Sequence, residues 1–126
     1  MDSILTSVKK LLGIEEDYTH FDADIIMHIN TVFMILNQLG VGPEEGFSIT
    51  DKTSVWDDYI ADLQNFEAVK SYMFLKVKML FDPPTGSAVT ESYNRTISEL
   101  ESRLSMAADL NSHVREEDIQ RWKAMH

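Results

Sequence analysis

No feature constrains this chain more than Pro83-Pro84. Two successive prolines lack backbone donors and push Asp82 out of the α region, so a helix that reaches them must stop. One does reach them. In residues 65–82, Phe66, Val69, Met73, Val77 and Leu80 recur at steps of three and four, which places them on one helical face. Tyr72, Phe74, Leu75, Met79 and Phe81 add apolar surface on other faces, the pattern of a central helix with neighbours on more than one side. Thr85-Gly86-Ser87 then provides a turn, with Ser87 expected as the N-cap of a following helix. Along that helix Val89, Tyr93, Ile97, Leu100, Leu104, Ala107 and Ala108 form the apolar stripe. Glu91, Arg95, Glu99 and Arg103, alternating in sign, mark the wet side. The two segments make an antiparallel helical hairpin with a short, stiff connection.

Two more helices precede the hairpin. Asp2-Ser3, then Ile4, Leu5, Val8, Leu11 and Leu12, then Gly13 supply the cap, period and glycine stop of a short amphipathic helix. A second core helix starts near Thr19, with Asp22 three residues on as a near-match to a capping box. It carries Ile25, Ile29, Val32, Leu36 and Leu39 and ends at Gly40. Between the core helices, residues 41–65 lack a period. There Ser48-Ile49-Thr50 is expected to be briefly extended, and Thr53 or Ser54 to cap a single turn that brings Val55, Trp56, Tyr59 and Ile60 to the core. The acids of this connection, Glu44, Glu45, Asp51, Asp57, Asp58 and Asp62, are left for solvent or a partner, and long connections in compact helical domains are often functional.

After Leu110 the core pattern stops. Ile119, Trp122 and Met125, at three-residue steps with Arg121 among them, give residues 111–126 a minimal apolar face suited to ordering on a partner. The expected fold is therefore all-α: a small bundle of about four helices, with a long acidic loop between the two core helices. Residues 1–110 make the domain, and 111–126 form an extended C-terminal tail that docks on a partner.

At 126 residues the length suits one domain with a real core. Eleven Lys and Arg against twenty-one Asp and Glu leave a formal charge of −10, and the tail's own charges cancel, so the excess belongs to residues 1–110. Gripping nucleic acid requires clustered basic groups that neutralise phosphates, and this chain has no such cluster. Such a charge is first of all a source of solubility, and a carboxylate-rich surface would also let a polyanion pass without adhering. With no cysteine, disulfides and thiolate metal sites are excluded. Lacking a signal-like or membrane-length apolar run, the chain is expected to be soluble and unsecreted.

Two enzyme-like patterns are weak. Ser7 and Lys10 match S-x-x-K without its companion motifs. Asp24 and His28, four apart, with His20 and Asp22 nearby, are metal-ligand types in reach of one another. First-turn acids are equally ordinary partners of the helix dipole.

The order of these parts resembles a known family. The short first helix leads to Tyr18-Thr-His-Phe-Asp-Ala-Asp-Ile-Ile-Met-His-Ile-Asn. The acidic loop follows, then Val69-Lys-Ser-Tyr-Met-Phe-Leu-Lys-Val-Lys-Met-Leu-Phe-Asp-Pro-Pro. This layout is similar to the small head-to-tail connector (adaptor) proteins of long-tailed bacteriophages infecting Gram-positive hosts, over roughly residues 1–110. The resemblance implies a virion protein of the neck, made in the host cytoplasm and assembled as a ring, typically a dodecamer, under the portal protein. It implies no catalytic residues and no cofactor or metal. DNA passes through such a ring at genome ejection without specific binding, and a neck or tail protein, a head closure or tail terminator component, docks below. By position, Ile119, Arg121, Trp122 and Met125 would meet the portal, and Glu44, Glu45, Asp51, Asp57 and Asp58 would face the channel or the tail side. Two alternatives stand beside it: a small acidic helical binding or regulatory module with no virion role, and a metal enzyme built on Asp24 and His28.

Overall fold

The computed structural model describes residues 2–59 and 66–125, and from residue 110 onward only Arg121 and Ala124 among the side chains. Five helices follow in order: α1 (Ile4–Leu11), α2 (Asp22–Gln38), α3 (Trp56–Tyr59), α4 (Phe66–Phe81) and α5 (Ser87–Met125). The fold is all-α. Among the described residues the one β-like feature is an isolated bridge between Ser3 and Val55, and none of the helices is long and apolar enough to cross a membrane.

Local chemistry sets the boundaries. Ser3 caps α1, its hydroxyl accepting the Thr6 N–H at 3.2 Å. At the other end Gly13 N–H donates to Lys10 and Ile14 N–H to Lys9, and Gly40 and Val41 repeat this at the end of α2 with Asn37 and Leu36. In both, paired N–H groups beyond the helix satisfy orphan carbonyls of the last turn, and this needs a left-handed residue, supplied by Gly13 at φ 82° and Gly40 at φ 87°. α4 ends at Phe81, and Asp82 N–H closes its last turn onto Lys78, as the two prolines require.

Three starts differ from the sequence reading. α2 begins at Asp22 rather than near Thr19, and Phe21 at its N-cap makes no side-chain cap. The Asp22 side chain is engaged elsewhere, as described below. α5 takes Gly86, not Ser87, as its cap: the Gly86 carbonyl accepts the first helical N–H, from Thr90, and Ser87 is already inside. For α3 neither Thr53 nor Ser54 caps. Asp58 Oδ2 instead reaches back 3.0 Å to accept the Val55 N–H, and Thr53 turns toward Asp51.

α2 and α4 form the centre of the bundle. They run antiparallel, since Phe81 at the end of α4 meets Phe21 and His28 near the start of α2. α1 packs on both, and α5 returns along α4. The core joins Ile4, Leu5 and Val8 of α1 with Ile25, Ile29, Val32, Phe33 and Leu36 of α2. Val69, Tyr72, Met73 and Val77 of α4 and Ile97 and Leu104 of α5 complete it, together with Ile49, Trp56 and Tyr59 from the connection. Leu80, assigned to the core by its spacing, is instead 45% exposed, while Tyr72, assigned to another face, is fully buried beside the stripe. The rest of the expected line holds, with Val69, Met73 and Val77 buried and Phe66 packed on the core, so burial is lost only at the helix end.

α5 is long. At 1.5 Å per residue its 39 residues span about 58 Å, against about 26 Å for the 17 residues of α2. Ala108 comes close to α2's end, its Cβ 3.1 Å from where a Cβ on Gly40 would lie. Helix then continues without a break through the expected boundary at Leu110 to Met125.

Candidate functional site

The acidic connection is anchored at both ends and in its middle. Asn30 of α2 donates to the Ile49 carbonyl at 2.9 Å and accepts the Ile49 N–H at 2.7 Å, two backbone bonds that drive the Ile49 side chain into the core. Asn37 donates to the carbonyls of Pro43 (3.0 Å) and Glu44 (3.3 Å), fixing the first turn beside the end of α2. Ile4 N–H donates to the Ser54 carbonyl, and Trp56 Nε1 to Ser7 Oγ at 2.9 Å, tying the far end to α1. Between these ties Phe33 gathers Phe47, Trp56 and Tyr59 at ring separations of 5.1, 6.4 and 4.5 Å. Of the apolar residues of the connection, Phe47, Ile49, Trp56 and Tyr59 are anchors on the core, Val55 is not packed on it, and Ile60 lies outside the described residues.

Its acids point outward. Glu44, Glu45, Asp51, Asp57 and Asp58 are all exposed. Two also shape the backbone. Asp58 accepts the Val55 N–H, and Asp51 accepts both the hydroxyl and the N–H of Thr53, which hold its carboxyl below the usual carboxylate range. Asp62 lies outside the described residues. These carboxylates sit on a fixed backbone, and their chemistry is that of a repelling or cation-seeking surface.

The tail residues fall in the last two turns of α5. Arg121 is exposed. Ile119, Trp122 and Met125 belong to the same helix, with side chains outside the described residues.

The enzyme-like patterns dissolve into structure. Ser7 Oγ donates to the Ile4 carbonyl and accepts from Trp56, so its hydroxyl is a brace between α1 and α3. His28 packs edge-on to Phe81. Asp22 is paired with Lys9, and no group of three or more His, Asp or Glu among the described residues is arranged to hold a metal ion.

Lys9 was missed by sequence reasoning. It is 1% exposed, and its ammonium donates to the carbonyls of Glu16 (2.9 Å) and Tyr18 (2.7 Å) while lying 2.8 Å from Asp22 Oδ1. That oxygen has no hydrogen-bond partner among the described residues, so the contact is an ion pair, with the directed bonds going to the carbonyls. One buried cation thus holds the acidic turn 14–20 between α1 and α2.

Two buried tyrosines set a further property. Burial raises the Tyr59 hydroxyl well above its usual range. Burial, then the hydrogen bond to Glu101 at 3.0 Å and that residue's charge, raise Tyr72. Unfolded tyrosines lose their protons near pH 10, whereas these two keep theirs, so above that pH the unfolded state binds fewer protons. Stability is therefore complete below about pH 10 and is expected to fall above it by up to about 1.4 kcal/mol per pH unit for each tyrosine. Urea midpoints between neutral pH and pH 11 test this, and Tyr72→Phe should flatten the slope.

In comparison with known proteins, a family model described as phage connector protein fits residues 4–111. No curated protein and no solved structure matches the chain.

Proposed function

Because the chain belongs to the phage connector protein family, we propose that it forms a ring, a dodecamer, beneath the portal of a long-tailed phage of a Gram-positive host, where it lengthens the DNA channel. Membership of the family carries a structural head-to-tail connector role at the virion neck and contact with portal and tail proteins as a class. The match to residues 4–111, 108 of the 126, is the observation on which this reading rests.

The surface chemistry supports the finer assignment. Residues 111–126 are the portal-docking segment, with Ile119, Trp122 and Met125 as apolar anchors and Arg121 as the charged partner at the end of α5. The long helix carries that segment away from the bundle, toward a neighbour. Glu44, Glu45, Asp51, Asp57 and Asp58, exposed on a braced backbone, face the channel or the tail-side head closure or tail terminator protein. Repeated around a ring they make a wall to which DNA does not adhere, so genome exit is favoured over binding. Self-repulsion between protomers of charge −10 keeps the free chain weakly associating until the portal supplies the missing contacts. The protein is made in the host cytoplasm and joins the filled head there.

Trp122→Ala is expected to leave the melting temperature of the free protein unchanged while abolishing its recovery on portal-bearing heads purified by sedimentation. Unfolding of the variant, or absence of the wild-type chain from purified virions, would overturn the assignment.

A further inference from the structure

Charge is unevenly divided along the chain. Residues 1–59 hold eleven Asp and Glu against three Lys, a net −8 of the total −10. In α4 the sign reverses, with Lys70, Lys76 and Lys78 against Glu67.

The outer side of α4 carries part of that reversal in an organised form. Glu67 and Ser71 are exposed and mark the helix face turned away from the core. Phe74 lies on the same face, three residues after Ser71 and seven after Glu67. It is partly exposed, and among the described residues it is not packed on the core. Lys70 and Lys78 flank it, four residues before and four after. Lys70 lies over the Phe66 ring at 5.1 Å, and Lys78 pairs with Asp82 at 2.9 Å on the surface, where such a bond contributes little. The result is an aromatic side chain between two lysines whose backbone positions lie about 12 Å apart along the helix.

α2 presents the converse. Its 17 residues contain no Lys or Arg. Opposite its buried line of Ile25, Ile29, Val32 and Leu36, Met27 and Met34 are 57% and 56% exposed, one heptad apart or about 10.5 Å. Asp24 is exposed one turn before Met27, and Asn37, by holding the Pro43 and Glu44 carbonyls, sets Glu44 and Glu45 beside the other end. This face is apolar in its middle and acidic at its ends. α2 and α4 pack against each other through their buried sides, so the two outer faces lie on opposite sides of the bundle.

Resting on the ring reading, we propose that neighbouring protomers meet head to tail through these two faces. Lys70, Phe74 and Lys78 on α4 of one copy dock on Asp24, Met27 and Met34 on α2 of the next. Two different, complementary patches on opposite sides of one molecule make a heterologous contact, the kind that propagates around a closed ring rather than ending at a dimer. Polarizable methionines suit an aromatic ring, and the lysine and carboxylate ends fix register and offset the repulsion between protomers that are acidic elsewhere. The occupant is a second copy of this chain because the complement of each patch lies on the same molecule.

The chain has no cysteine, which permits a direct test. Met34→Cys and Phe74→Cys chains are purified separately, mixed and treated with a short bis-maleimide cross-linker, alone and on portal-bearing heads. Met27→Cys is used in parallel to cover a shift of register. All three positions are outside the packed core, and unchanged melting temperatures confirm folding. Heterodimeric product between the α2 and α4 cysteines should dominate, and Lys70→Glu with Lys78→Glu in the Phe74→Cys chain should abolish it. Product from like chains alone, or none while the wild-type chain is present in virions, overturns the inference and leaves the ring reading standing. Absence of the wild-type chain from virions removes both.

Discussion

Lys9→Met is expected to destabilise the domain by about 3–5 kcal/mol, the usual cost of removing one partner from a buried ion pair. The substitution keeps most of the volume and deletes the charge, so Asp22 loses its counter-charge and the carbonyls of Glu16 and Tyr18 lose their donor. Total stabilities of such domains are about 5–15 kcal/mol, and the change should show as a large fall in the urea midpoint. The first consequence is local. With the ammonium gone, the turn beyond Ile14 keeps no described hydrogen bond to α1, so limited proteolysis should cut there before the bundle melts. Asp22→Asn should cost less, because both carbonyl acceptors remain. A loss as large as that of Lys9→Met would mean that the ion pair, rather than the carbonyl bonds, holds the turn.

Phe33→Ala should be of the same order, about 3–5 kcal/mol for a large-to-small change at a buried aromatic. Phe33 is 1% exposed and is the side chain on which Phe47, Trp56 and Tyr59 converge. Its removal takes away the platform of the acidic connection as well as core volume. The expected signature is a change in Trp56 fluorescence in the still-folded variant together with the drop in melting temperature. Unaltered tryptophan emission would show that the two asparagine anchors alone fix the connection.

The residues that were easy to read are those whose effect is local. Pro83-Pro84 ends a helix by backbone chemistry that no distant contact reverses, and Gly13 and Gly40 end theirs by supplying a left-handed residue. Helical period likewise located the buried sides of α2 and α5. It failed at Leu80, and likewise at Leu11 and Val89, all largely exposed at helix ends, since period identifies a face but not where the neighbouring helix runs out. It also counted Phe74, on another face, as surface for a neighbouring element, because an aromatic in a run of apolar residues gives no sign of being left outside the packed core. The candidate assembly surface was legible as charge: Glu44, Glu45, Asp51, Asp57 and Asp58 are exposed because carboxylates cost too much to bury unpaired. What holds that surface still was not legible. Asn30 reaches a backbone 19 residues on, and Lys9 reaches carbonyls seven and nine residues on, and neither pattern has a period.

Because α5 is one uninterrupted helix from Ser87 to Met125, its two ends are locked in rotational phase. Trp122 follows Leu104 by eighteen residues, five whole turns at 3.6 residues each, so the azimuth of the tail is inherited from the core. Deleting a single residue between them would swing everything beyond it through about 100°, whereas inserting seven would lift it by about 10 Å and turn it by only about 20°. The helix is a ruler with a compass bearing, and its length can change only in steps of about seven residues if that bearing is to be kept.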